Sequence, residues 1–181
     1  MDNSSENYTR IIAEIGIAVA IAAVLNFFPL WRMPQGGSIS LEMLPILFVA
    51  LRWGGKPGLM AGLVYGLIQL VVNPYIIHPV QLIMDYPLPF MMLGTAGVFV
   101  IRKNRGRDIS YYKVFLAVLT ASFLRFVVHV LSGVVFFSSY APEGQNVWIY
   151  SIIYNGSYLV PSLIISYVVL ILILKRLLIN K

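Results

Sequence analysis

Residues 112–137 read YKVFLAVLTASFLRFVVHVLSGVVFF, and this stretch decides the fold. Beyond Lys113 its only formal charge is Arg125. The apolar residues run on without the strict alternation of a half-buried or barrel strand. About 20 such residues, rising 1.5 Å each, carry an α-helix across the hydrocarbon core of a bilayer. Stretches of the same kind lie at residues 8–28, 40–53, 57–73, 79–101 and 146–178. Six crossings commit roughly 120 of the 181 residues to membrane, which leaves two tails and five connections. The expected fold is an all-α integral membrane protein, a single domain of six transmembrane helices over residues 1–181.

Composition points the same way and removes several function classes. Hydrophobic residues make up 59% and charged residues 11%, whereas about a quarter of a soluble domain is charged. Zero cysteines exclude disulfides and thiolate chemistry, and two histidines, His78 and His129, argue against a histidine-built metal site. Gly55-Lys56 is followed by Pro57 rather than the Ser or Thr of a phosphate-binding loop, so ATP hydrolysis is not expected of this chain. No metal and no cofactor is expected. The first span lacks a basic leader and a small-residue cleavage site and reads as a helix that stays.

Basic residues orient the bundle. Arg10, Arg52, Lys56, Arg102, Lys103, Arg105, Arg107, Lys113, Lys175, Arg176 and Lys181 all fall on one side, and only Arg32 falls in a loop on the other. That asymmetry places both termini in the cytoplasm and accounts for the net charge of +6 without nucleic acid. The basic 102–107 cluster is expected to meet anionic lipid headgroups.

Ionisable groups at membrane depth are costly and are usually kept for function. Here they are Glu14, Glu42, Asp85, Arg125 and His129. Glu14 follows Arg10 by four residues and is expected to pair with it. Glu42 lies at the outer start of the second span. From the helical rise, Asp85 lies about 9 Å, His129 about 12 Å and Asn155 about 13 Å below the outer ends of their spans. These four share one layer with Tyr86, Phe136, Phe137, Tyr140, Trp148, Tyr150 and Tyr154. Carboxylates among stacked aromatics suit a small, flat, cationic ligand. The alternative is an Asp85–Arg125 ion pair beside a kink at Pro87 and Pro89. Two further readings stay open. An intramembrane hydrolase would need His129 to activate Ser132 or Ser157, without a glycine-framed nucleophile to support it. A self-sufficient homodimeric carrier would use Asp85 for ion coupling.

Several motifs carry a family resemblance. Met33-Pro34-Gln35-Gly36-Gly37-Ser38, His78-Pro79-Val80-Gln81 before Asp85-Tyr86, and Arg125-x-x-x-His129 are the first of them. The stretch from Gly133 through Phe136-Phe137-Ser138-Ser139-Tyr140-Ala141-Pro142, and Trp148-Ile149-Tyr150 with Asn155, complete the set. In order and spacing they resemble the thiamine-specific S component (ThiT family) of energy-coupling factor (ECF) vitamin transporters. The resemblance implies a multi-pass protein of a bacterial plasma membrane, not an enzyme, that captures thiamine from outside. It implies as partners an energising module of one transmembrane T component and two ATPases. By resemblance the thiamine pocket falls on Asp85, Tyr86, His129, Tyr150 and Asn155, with Phe137 where the family can carry Trp. Asp85 also stands where the family often has Glu. The first-helix alanine motif that meets the T component falls on Ala18 and Ala22; Gly16-x-x-x-Ala20 has the same spacing. The irregular Trp31–Ser40 segment, with Pro34, Gly36 and Gly37, reads as a gate beside the site.

Overall fold

The computed structural model describes residues 3–99 and 110–179. The chain runs α1 (Asn3–Phe27), a two-stranded hairpin of β1 (Trp31–Arg32) and β2 (Ser38–Ile39), α2 (Met43–Trp53) and α3 (Gly55–Val72). It continues through α4 (Pro79–Asp85), α5 (Pro87–Met92), a 3-10 helix (Leu93–Phe99), α6 (Tyr111–Phe136) and α7 (Val147–Ile179). The strands pair antiparallel, Trp31 opposite Ile39 and Arg32 opposite Ser38. The basic 102–107 cluster lies outside the described residues.

Each expected span recurs as helix, with informative departures. Among the described residues five helical segments are long and apolar enough to cross a membrane, and in each only 28% to 39% of the most apolar window is buried within the protein. The remainder is apolar surface far beyond what water tolerates, so lipid must cover it. Met43–Trp53, at 11 residues, is shorter than a spanning helix. Ile46, Leu47, Val49, Ala50 and Leu51 are buried around its circumference, which marks α2 as the central strut rather than a lipid-facing helix.

Local chemistry sets the helix boundaries. His78 Nδ1 accepts from the Val80 N–H at 3.1 Å, with Pro79 opening α4 where its missing N–H costs nothing. The Ser110 hydroxyl caps α6 through the Lys113 N–H, and Asn146 Oδ1 caps α7 through the Trp148 N–H at 2.9 Å. The fourth span is broken rather than kinked. Tyr86, which precedes a proline, leaves helical geometry (φ −113°, ψ −82°), and the helix restarts at Pro87.

That broken segment is held by glycines at helical spacing. Gly58-x-x-x-Gly62-x-x-x-Gly66 forms one stripe of α3, against which the backbone from Tyr86 to Gly94 lies directly. A Cβ on Gly66 would sit 2.5 Å from Pro87 Cα, and one on Gly62 would strike the Phe90 carbonyl. Gly94 and Gly97 lie as closely against residues 54–59 from the other side.

The stripe on α1 corrects an expectation. Ala18 and Ala22 are 6% and 0% exposed and belong to the core against α2 and α3, so as they stand they cannot meet a partner protein. Gly16 and Ala20, with Ala13, are the exposed small residues of this stretch, and nothing lies within 4 Å of a Cβ built on Gly16. Glu14 does pair with Arg10 at 3.1 Å, and it also binds Arg52 at 2.7 Å and the Trp53 indole at 2.7 Å. The middle of α1 is thereby tied to the C-terminal end of α2.

Candidate ligand-binding site

Beneath the hairpin the helix ends enclose a cavity of about 570 Å³, within the usual range for a small-molecule site. Asp85, Tyr86, His129, Phe137, Tyr150, Asn155 and Glu42 all line it. On α6, Arg125, His129 and Gly133 face it because they recur at helical spacing, and Phe137 follows from the C-cap. On α7, Ser151, Asn155 and Tyr158 do the same, with Tyr150 and Tyr154 on the neighbouring stripe.

The two acids differ sharply in their surroundings. Glu42 Oε1 receives Arg125 Nη2 at 3.0 Å, with both side chains under 10% exposed. Its Oε2 accepts from the Tyr65 hydroxyl at 2.7 Å and from Gln69 Nε2 at 3.0 Å. The Arg125 guanidinium lies 4.3 Å from the centroid of the Phe90 ring. Glu42 is thus neutralised and hydrogen-bonded through both oxygens in the cavity floor, while Arg125 Nε is buried without a hydrogen-bond partner among the described residues. The expected alternative, an Asp85–Arg125 pair, is overturned because Glu42 holds the guanidinium. Among the described residues Asp85 has no arginine or lysine partner. Its Oδ2 accepts from Gln81 Nε2 at 2.6 Å, and its Oδ1 is 4.0 Å from His129 Nδ1, beyond hydrogen-bond reach.

Around Asp85 stands a polar and aromatic wall. His129 Nε2 is buried with no hydrogen-bond partner among the described residues. Asn155 is anchored through Nδ2 to the Ser151 carbonyl at 2.9 Å, while its Oδ1 accepts from the Tyr158 hydroxyl at 2.7 Å. Phe137 stacks between Tyr75 (centroids 6.1 Å) and Tyr140 (6.0 Å), whose hydroxyls meet at 2.9 Å. Tyr150 stacks on Tyr154 at 5.8 Å.

The segment expected to gate the site is the hairpin, and its tip closes one side of the cavity. Gly36 and Gly37 have φ of +90° and +83°, the left-handed region that glycine enters without strain. The Tyr154 hydroxyl donates to the Gly36 carbonyl at 2.8 Å and accepts from the Gln35 N–H at 3.0 Å. Gly37 lies against the face of Tyr158, where a Cβ would come within 2.7 Å of the ring.

The model of the thiamine transporter protein family (Thia_YuaJ) matches residues 12–180. The chain belongs to the thiamine transporter family. It is 44% identical to the thiamine transporter ThiT of Bacillus subtilis (strain 168), with 94% of this chain and 93% of that protein covered. It is 30% identical to the thiamine transporter ThiT of Lacticaseibacillus paracasei, with 88% of this chain and 84% of that protein covered. A solved structure of ThiT from Listeria monocytogenes superposes with a TM-score of 0.85 at 30% identity, covering 94% of this chain and 96% of that one. This thiamine transporter family member is therefore a multi-pass bacterial membrane protein with a transport function, not an enzyme.

The family member's cavity also includes residues that sequence reasoning had not singled out, chiefly Gln69 and Tyr75. Tyr75 sits in a loop with no periodicity to announce it, whereas Tyr65 and Gln69 share a face of α3 by their i,i+4 spacing. Trp31, Phe136 and Trp148 do not line the cavity: Trp31 and Trp148 are exposed, and Phe136 stacks on His78. Tyr140 does line it.

Proposed function

We propose that this chain is the substrate-binding S component of an ECF-type transporter, capturing thiamine from the extracellular side for ATP-driven import. In this reading α2 counts as the sixth span, both termini are cytoplasmic, and the cavity opens outward. Asp85 is the countercharge for the thiazolium ring. Phe137, Tyr86 and Tyr150 supply aromatic faces, His129 and Asn155 present polar atoms to the aminopyrimidine, and Glu42 supports the cavity floor through Arg125. The observation that carries the reading is the charge state of the cavity: of its two acids, one is neutralised by a buried arginine and the other is left to a ligand. A permanently cationic, flat molecule satisfies that remaining charge and the aromatics around it.

Thiamine is cargo in this account, and no cofactor is needed. The energising partners are one transmembrane T component and two ATPase subunits. The outward face of α1 around Gly16 and Ala20 is the proposed docking surface, since small residues let a second helix approach closely. Intrinsic tryptophan fluorescence of the purified chain, titrated with thiamine, riboflavin and biotin without ATP, tests the ligand. Saturable binding of thiamine alone is expected, and binding of riboflavin or biotin in its place refutes the assignment. Copurification with ATPases separates this reading from a self-sufficient carrier, which would show gradient-driven uptake on its own.

A further inference from the structure

The His78-Pro79-Val80-Gln81 motif has so far explained only a helix cap, yet Gln81 is 1% exposed and lines the cavity. Its carboxamide is fully engaged. Oε1 accepts from the Ile77 N–H at 3.2 Å, while Nε2 donates to the Tyr75 carbonyl at 3.0 Å and to Asp85 Oδ2 at 2.6 Å. The amide has one sense only. Reversed, its oxygen would face a carbonyl and a carboxylate, and its N–H groups would face another N–H. Gln81 therefore grips the loop that carries Tyr75 and the carboxylate of Asp85 with the same group. Tyr86 completes the grip on that loop: its hydroxyl accepts from the Tyr75 N–H at 2.7 Å and donates to the Asn73 carbonyl at 2.8 Å. Tyr75 in turn carries the Phe137–Tyr140 stack.

We propose that Gln81 is a positioning residue that sets the selectivity of the cavity for a cation borne on a flat ring, by fixing the Asp85 carboxylate in register with the Tyr75 aromatic wall. This rests on the thiamine reading above. Without Gln81, Asp85 Oδ2 loses the 2.6 Å hydrogen bond that fixes its rotation, with the Ser132 hydroxyl left beside the carboxylate, and the loop loses two of its four backbone anchors. The charge then remains in the cavity but no longer at a fixed distance from the ring face. The penalty falls on cationic ligands far more than on neutral ones.

The test uses the full chain in detergent and two probes: thiamine, and the neutral fragment 4-amino-5-hydroxymethyl-2-methylpyrimidine. Gln81→Leu should weaken thiamine roughly 10- to 100-fold, the range for a lost hydrogen bond to a charged group, and the neutral fragment by less than about threefold. Because Gln81 acts through Asp85, the same substitution on an Asp85→Asn background should cost thiamine clearly less than it does alone. Equal losses for both probes, or full additivity with Asp85→Asn, overturn the proposal and leave Gln81 a packing residue. Gln81→Met, of similar length and without polar atoms, replaces the leucine variant if that one does not fold. Failure of both to fold assigns Gln81 to stability and also overturns it. A wild-type chain that binds no thiamine refutes the underlying reading and this one with it, whereas a wild type that binds while the variants keep their selectivity refutes this one alone.

Discussion

Replacing Asp85 by asparagine removes one charge and almost nothing else. The asparagine oxygen still accepts from Gln81, and no arginine or lysine is released, because Arg125 is held by Glu42 at 3.0 Å. A ligand cation about 4 Å from the carboxylate gains about 4 kcal/mol at an effective dielectric constant of 20. Truncation of desolvated charge pairs typically costs about 2–5 kcal/mol. The Asp85 side chain is 19% exposed, so water screens part of this and the lower half of the range applies. That converts to a loss of thiamine affinity of roughly 30- to several hundred-fold. A permanently cationic analogue with a different ring should lose as much, and the neutral aminopyrimidine fragment much less. The dissociation constants of all three, with the thermal midpoint of the variant, decide the matter. Equal losses for charged and neutral ligands together with a large fall in midpoint would refute the countercharge role and make Asp85 a structural carboxylate.

Arg125→Met should be the more damaging substitution for stability, since it strands Glu42 as a buried charge at a cost of about 3–5 kcal/mol. A double Glu42→Leu, Arg125→Met variant should recover most of the lost thermal midpoint, and failure to recover would mean the network does more than neutralise itself. Tyr154→Phe removes both hydrogen bonds to the hairpin tip and should speed thiamine release about 2- to 12-fold per bond lost in stopped-flow fluorescence, with little change in association; an unchanged release rate would disconnect the hairpin from gating. Gly16→Trp should abolish uptake into vesicles containing the energising module while sparing binding, whereas Ala22→Trp should lose both through misfolding because its site is 0% exposed. The reverse pattern would place the docking face elsewhere.

The spans were legible because length and apolarity are properties of each segment by itself, and the cavity layer followed from the helical rise counted inward from the span ends. What escaped depended on pairing between segments. Nothing in the sequence says which acid takes Arg125. Asp85 and Glu42 both belong to the polar layer one helical turn or more above it, and the choice falls to Glu42 because the start of α2 meets α6 there, with Tyr65 and Gln69 of α3 holding the other carboxylate oxygen. The α1 stripes escaped for a related reason. Residues 16 and 20 are offset from 18 and 22 by two positions, about 200° around the helix, so two identical small-residue patterns lie on opposite faces. Periodicity finds both and ranks neither. The glycines of α3 recur at helical spacing but were not singled out, because their meaning appears only with Pro87 and Phe90 pressed against them.

In the proposed reading those pairings also set what kind of ligand the cavity accepts. Two unpaired carboxylates in one water-poor pocket would repel each other, and one would have to take up a proton or both would demand a doubly charged ligand. Committing Arg125 to Glu42 removes that problem without adding a free positive charge beside Asp85. Arg32, the other cavity-lining cation, sits on the exposed hairpin and donates to the Asn26 carbonyl, where water screens it. The floor network therefore leaves a single negative charge set among aromatic faces, which is complementary to one delocalised positive charge. In the proposed reading the Glu42–Arg125 pair contributes to selectivity by fixing the number of charges the ligand must bring, while Gln81 fixes where that charge must lie.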